Sequence, residues 1–256
     1  MSHKSREELA EGAALCLEIG AGLLENGAET SRVEETIRMT GEALGIEVEA
    51  MVHPTGITVG YGNGDALTRV ARIKDRSINL NKVAELNRLS RRMHHGEISS
   101  AQCRERVAEV RSAPGLYSRS QVYFSTALSG ACLTMVVGGR PWEVVMAVVA
   151  ACCARRVLEA FGSNFPSFLS LFAVGFLCSL FGVAGRAMGL SSEAIVVGSL
   201  LQQMPGLAFV SAMRDLMAGE LVAGNARLAE AVLVTLGMAS GVLACLSLAL
   251  RAGISG

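Results

Sequence analysis

Charge is what this sequence is short of. Charged residues make up 18% of its 256 positions, against roughly a quarter in ordinary soluble domains. The shortage lies in one half: residues 1–120 hold 16 of the 23 Lys+Arg and 17 of the 23 Asp+Glu, leaving 7 and 6 for the remaining 136 positions. Lys+Arg balance Asp+Glu, so no basic excess points to a nucleic-acid partner. Seven cysteines contain no Cys-x-x-Cys pair, and five of them fall in the low-charge half. That excludes a zinc ribbon or a disulfide framework and suits small apolar packing residues in a reducing or lipid setting. No Gly-rich phosphate loop is present, so ATP drive is not indicated, and no nucleophile-elbow or metal-ligand spacing appears. No cofactor or metal is expected.

What the second half does have is length without charge. Charge-free runs cover 121–139, 144–154, 160–185, 194–213 and 231–250, and a spanning helix needs about 20 apolar residues. The second run is short by itself. It extends to a span over 142–158 if Arg155 and Arg156 snorkel at one interface while Trp142 and Glu143 mark the other. The reading is mainly α and integral to a membrane: an N-terminal cytoplasmic α+β domain over 1–115, followed by a five-helix transmembrane bundle over 116–256. The spans fall at about 121–139, 142–158, 165–185, 194–213 and 231–250. No cleavable leader is expected before them, because the first long apolar run begins beyond residue 120. Arginines set the orientation. Arg111 with Arg119, Arg155 with Arg156, and Arg214 with Arg227 lie on one side, against single Arg140, Arg186 and Arg251 on the other. Two against one at every alternate loop places the N-terminus inside.

In the first half, "SREE" at 5–8 and "SRVE" at 31–34 fit the capping box and predict helices over about 6–25 and 32–44, stopped by Gly27 and Gly45. Short β-branched runs follow over 46–73, with Asn63-Gly64 as a hairpin signal. Helices return at about 79–93 and, after the "SSAQ" box at 99–102, at 100–111. His53, before Pro54, reads as structural or as a base; His94 and His95 read as cations near a helix C-terminus. "RLSRRMHH" reads as a solvated helix face or as a contact for anionic headgroups.

The stretch "SLLQQMPGLAFV" at 199–210 raises its own question. Pro205 has no N–H, so the carbonyl of Leu201 is expected to lose its helical partner, and Gly206 eases unwinding. Gln202 and Gln203 bring amides to the same level, where free polar groups need protein, water or ligand. Two readings stand: a broken-helix substrate site, or a plain kink whose glutamines bind neighbouring helices. Small residues at helical spacing, such as Gly185 to Gly189 and Gly237 to Gly241, point to close helix packing.

"QQMPGLAFVSAMRDLMAGELVAGNARLAEA", "NGAETSRVEETIRMTGEALGIEVEAMVHPTGI" and "TRVARIKDRSINLNKVAELNRLSRRM" together resemble the threonine/serine exporter family, in its YjjP-type half. The likeness runs over nearly the whole chain in motif order. It implies a cytoplasmic N-terminal domain, a multi-span bundle in the inner membrane, and export of threonine, serine or a succinate-like dicarboxylate. It also implies a secondary transporter working as a hetero-oligomer with a YjjB-type membrane subunit, because the long family form has about ten spans. For such substrates, Arg214 is a candidate carboxylate partner and Asp215 a candidate ammonium partner or proton carrier; the pair reads equally as a topology anchor. Ser125 and Ser129, with Thr126, Ser167 and Ser170, line a polar path or bond back to their own helices. Glu143 and Glu193 lie near span ends, Glu193 as a capping-turn acid. Proton drive is the expected coupling. Two other classes remain: a membrane-anchored sensor or scaffold, and a membrane-tethered hydrolase using His53.

Overall fold

The computed structural model describes residues 5–62, 67–74, 76–162 and 165–253. They form a largely helical chain with one small sheet and divide into two compact units, Met1–Pro114 with Phe209–Leu228, and Gly115–Ala208 with Ala229–Gly256. Residues 209–228, expected as part of the low-charge half, group with the N-terminal unit.

In the first unit, helices α1 (Arg6–Glu25) and α2 (Thr30–Ala43) precede strands β1 (Val48–His53), β2 (Gly56–Tyr61) and β3 (Leu67–Arg72). Helices α3 (Leu80–His94) and α4 (Ser100–Ser112) follow. The sheet is an antiparallel meander in the order β1-β2-β3. Val52 pairs with Ile57, and Tyr61 with Leu67; Asn63-Gly64 lies outside the described residues. β2 alternates half-buried and buried positions, with Ile57, Val59 and Tyr61 inward, the two-residue period of a strand with one covered face. α1 and α2 supply that cover, and α3 and α4 pack against them. Leu15, Ile19, Leu23, Ile37, Val52, Ile57 and Leu86 form the centre of the core.

The caps follow local chemistry. Ser5 with Glu8 and Ser99 with Gln102 form reciprocal capping boxes, as expected. The expected box at Ser31–Glu34 does not form. α2 begins at Thr30 behind Glu29, which makes no side-chain cap. Glu34 turns instead to the sheet, accepting the Val52 N–H at 2.9 Å. Burial and the nearby Glu220 raise the Glu34 carboxyl above its ordinary range, against the lowering from the Val52 N–H and His53.

The second unit contains α5 (Arg119–Val136), α6 (Pro141–Phe161), α7 (Ser167–Ala187) and α8 (Ser192–Leu200), then a 3-10 turn at Leu201–Gln203. The chain continues through α9 (Gly206–Met217) and α10 (Leu221–Arg251). Ala150, Ala154, Val174, Cys178, Leu200 and Met238 make its core. α7 and α10 approach to backbone contact. A Cβ on Gly175 would strike the Met238 carbonyl, and one on Gly241 the Phe172 carbonyl. Small residues allow this approach, which is how apolar helices associate where lipid removes the hydrophobic drive.

Two helices, α7 and α10, are long and apolar enough to cross a membrane, and α8 with α9 makes a third if the bent pair counts as one. α5 and α6 are helical where spans were expected but less apolar. α5 opens on Arg119, Ser120 and Gln121, and α6 carries Glu143, Arg155, Arg156 and Glu159. Part of that charge is internally matched: Glu159 accepts from Tyr123 Oη at 3.1 Å and from Arg155 Nε at 3.2 Å.

Candidate functional site

The charge-free run at 194–213 starts within an ordinary helix. Ser191 caps α8 by accepting the Ala194 N–H at 3.3 Å. After Leu200 the helix tightens to a 3-10 turn, and Met204 then takes an extended conformation, φ −64° and ψ 138°. That is the region into which a following proline forces its neighbour. Helix resumes at Gly206, and the two pieces are bent by 49°.

The break differs from expectation in one respect. The Leu201 carbonyl is not left without a partner, because the 3-10 turn lets the Met204 N–H reach it at 3.2 Å. The Gly206 N–H then donates to the Met204 carbonyl at 2.8 Å. An i to i+3 bond replaces the i to i+4 bond that Pro205 cannot make.

Gln202 and Gln203 are both half-buried at this turn. Gln202 Nε2 donates to the Ser199 carbonyl at 3.4 Å and stands 3.7 Å from where a Cβ on Gly130 of α5 would lie. Pro205 is half-buried and Gly206 exposed, with nothing within 4 Å of an added Cβ. Ser129, half-buried, adjoins Gly130 in α5. Ser125 is exposed and bonds back to the Gln121 and Val122 carbonyls at 2.8 and 3.0 Å, the local alternative anticipated for it. Thus Gln202 comes together with the Ser129–Gly130 turn of α5, while Ser125 is occupied within its own helix.

Arg214 and Asp215 lie further along α9, and their surroundings belong to the first unit. Asp215 is wholly buried. Its Oδ1 accepts the Thr30 backbone N–H at 3.2 Å and its Oδ2 the Thr30 hydroxyl at 3.3 Å. Arg227 Nε lies 3.3 Å from the same Oδ2, and Arg227 Nη2 donates to the Ala28 carbonyl at 2.8 Å. Arg214 Nη1 meets Glu29 Oε1 at 2.6 Å. The first turn of α2 lacks a cap of its own, so a carboxylate 185 positions away satisfies it. Negative charge also suits a helix N-terminus. Neither Thr30 nor Glu29 was singled out from the sequence. They stand in the quoted stretch that begins "NGAETSRVEE", and no local pattern reveals their pairing with Arg214 and Asp215.

Glu143 is buried as well. Its Oε2 accepts the Arg140 N–H at 2.9 Å and its Oε1 the Ser191 N–H at 3.0 Å, tying the start of α6 to the cap of α8. Among the described residues, no group of three or more His, Cys, Asp or Glu is placed to share a metal ion. His53 closes β1, and His94 and His95 close α3.

A family model described as "Putative threonine/serine exporter" matches residues 14–249. Similar proteins include one named "Probable succinate transporter subunit YjjP" in Klebsiella aerogenes, 26% identical over 240 residues, covering 91% of this chain and 92% of that one. A "Probable threonine/serine exporter" of Mycobacterium tuberculosis is 26% identical over 94% of this chain but 46% of its own length. A "Pheromone-regulated membrane protein 10" of Eremothecium gossypii is 23% identical over 84% of this chain and 30% of its own. No solved structure matches.

Proposed function

This chain belongs to the threonine/serine exporter family of membrane transporters, and we propose that it is one subunit of a secondary exporter of small organic acids. In this reading the substrate passes the break at 202–206. The observation that carries it is that break: the charge-free run 194–213 is interrupted at Pro205, with two half-buried glutamines at the interruption. Discontinuous helices in lipid commonly form transport sites, because unwound backbone is tolerated only where it lines a polar path.

Succinate-like dicarboxylates are the first choice of substrate, threonine and serine the second. The relative matched along nearly its whole length is named for succinate, whereas the chain covers less than half of the threonine/serine exporter. Gln202 and Gln203 donate amide N–H groups to the carboxylate, Pro205 holds the break, and Gly206 leaves room for close approach. Ser129, and Ser125 after rotation of its hydroxyl, line the α5 side. Arg214, whose pair with Glu29 leaves its side chain 65% exposed, is the exchangeable cation at the end of α9. Asp215, committed to Thr30 and Arg227, serves as the anchor of that helix.

The wider assembly follows the same reading. Five spans, at about 121–139, 142–158, 165–185, 194–213 and 231–250, cross the inner membrane with the N-terminal domain in the cytoplasm. A YjjB-type membrane subunit completes the path, and the proton gradient drives efflux. Naming of the relatives as a "subunit" supports the partner, and the paired arginines support the orientation.

The test is co-reconstitution with the YjjB-type subunit in proteoliposomes loaded with labelled succinate, threonine or serine. Efflux under a proton gradient is expected, and its absence for all three substrates would overturn the assignment. Gln203→Ala should leave assembly intact and lower flux about tenfold or more, the loss expected for one hydrogen bond to a charged group. Pro205→Ala should act in the same direction, and unchanged flux in both variants would reduce the break to a kink.

A further inference from the structure

A glutamate in the third position of a helix reaches back with one carboxylate oxygen to the backbone N–H of its N-cap. Glu143 of α6 does this, its Oε2 accepting the Arg140 N–H at 2.9 Å. The second oxygen is not left to solvent. Oε1 accepts the Ser191 N–H at 3.0 Å, and the residue is only 4% exposed. Burying a carboxylate is costly unless hydrogen bonds replace the lost water. Here the first turns of two helices supply those bonds, and negative charge is favoured at such ends. One carboxylate thus joins the start of α6 to the start of α8.

α8 is nine residues long, about two and a half turns, so what grips its end and its flank sets its position. Its flank runs along α5 and the turn after it. A Cβ on Gly139 would stand 3.4 Å from the Ala194 Cβ, and Gln202 Nε2 stands 3.7 Å from a Cβ on Gly130. Between them, a Cβ on Gly198 would strike Thr134, whose Cα lies 2.9 Å from it, and that backbone cannot swing aside. Thr134 is buried, and its hydroxyl donates to the Gly130 carbonyl at 2.7 Å. Residues 194, 198 and 202 are spaced by four and share one helix face; they meet 139, 134 and 130 in reverse order. α8 is therefore a strut in close contact along its length, gripped at its first turn by Glu143. Ser191 and Gln202 are about 16 Å apart along the axis, and a shift of the first is passed to the second.

We propose that Glu143 is a positioning residue of the transport site: by holding Ser191 it fixes α8 along α5, and so sets where Gln202 and Gln203 stand. The inference rests on the transport reading of the break at 202–206 and assigns its geometry to a side chain at the opposite end of α8.

Hydrogen exchange of the full chain in nanodiscs tests the grip without any flux. In Glu143→Ala, peptides covering 191–204 should exchange about tenfold or more faster, as for a lost hydrogen bond to a charged group, with peptides of α1 to α4 unchanged. Gly198→Ala, which leaves Glu143 intact but crowds Thr134, should loosen the same peptides. The consequence is read after co-reconstitution with the YjjB-type subunit. The internal succinate concentration giving half-maximal efflux should rise about tenfold in Glu143→Ala, and the maximal rate at equal protein incorporation should change less, a split that mere loss of folded protein does not produce. Should Glu143→Ala lose protection throughout α5 to α10, Glu143→Gln, which retains one acceptor oxygen, decides by the same measurements at smaller amplitude. Exchange over 191–204 within twofold of wild type, or faster exchange with unchanged half-saturation, would overturn the proposal. A wild-type chain that moves no substrate would instead sink the transport reading, and exchange over 199–204 alone would then decide whether Glu143 places the glutamines.

Discussion

Replacing Asp215 by alanine removes three partners at once. Its side chain is fully buried and that of Arg227 is 11% exposed, so the substitution leaves a guanidinium largely out of water without its carboxylate, still donating to the Ala28 carbonyl. It also leaves the Thr30 N–H and hydroxyl without their acceptors. Breaking a buried ion pair by removing one partner costs about 3–5 kcal/mol, most of it the desolvation of the charge left behind. The loss is local, because only residues around 28–30 and 209–228 share these bonds. Hydrogen exchange of the full chain in nanodiscs, followed by mass spectrometry, reads it directly. Protection of peptides covering the first turn of α2 and residues 214–228 should fall on the order of a hundred- to a thousandfold. A double variant, Asp215→Ala/Arg227→Met, should recover part of the loss, because an apolar side chain of similar length carries no unpaired charge. Protection within about threefold of wild type in the single variant, or a double variant less protected than the single, would refute the account.

Two further outcomes follow from packing and titration. Gly241→Val places side-chain atoms against the Phe172 carbonyl and the Phe176 amide nitrogen, backbone that cannot swing aside. α7 and α10 should separate, with thermal stability in detergent lower by about 1–3 kcal/mol or more, and an unchanged melting temperature would contradict the packing described. The folded Glu34 carboxyl is raised by burial and by Glu220, so over its titration range the folded state holds more protons than the unfolded state. Stability of the N-terminal unit should therefore be greatest below the ordinary carboxylate pKa and decline as pH rises through the raised value. Glu34→Gln keeps an acceptor for the Val52 N–H and should flatten that decline. Melting of the two proteins between pH 4 and about 8 tests it, and parallel curves would exclude Glu34 as the source.

The parts of this molecule that were legible in advance are those governed by neighbours in the chain. The boxes at Ser5–Glu8 and Ser99–Gln102 form because hydroxyl and acid sit three residues apart in a helix's first turn. The interruption at Pro205 was visible because a missing N–H and a restricted preceding residue are properties of the dipeptide alone. Where the same rules misled, distant groups had intervened. Ser31–Glu34 had the spacing of a box, but the Val52 N–H of β1 took Glu34, and Asp215 capped α2 in its place. The partner of the Leu201 carbonyl was misjudged for a milder reason: a helix can tighten by one residue and keep the bond.

The sequence by itself determined the family, the helical character, the concentration of charge in the first half, and the position of the break. Apolar run length, capping residues and proline act within a few residues of themselves. Only the tertiary structure decided that Asp215 lies against Thr30 and Arg227 and that Gln202 lies over Gly130. These pairings join segments up to 185 residues apart, and they depend on how whole helices pack rather than on any period a single segment carries.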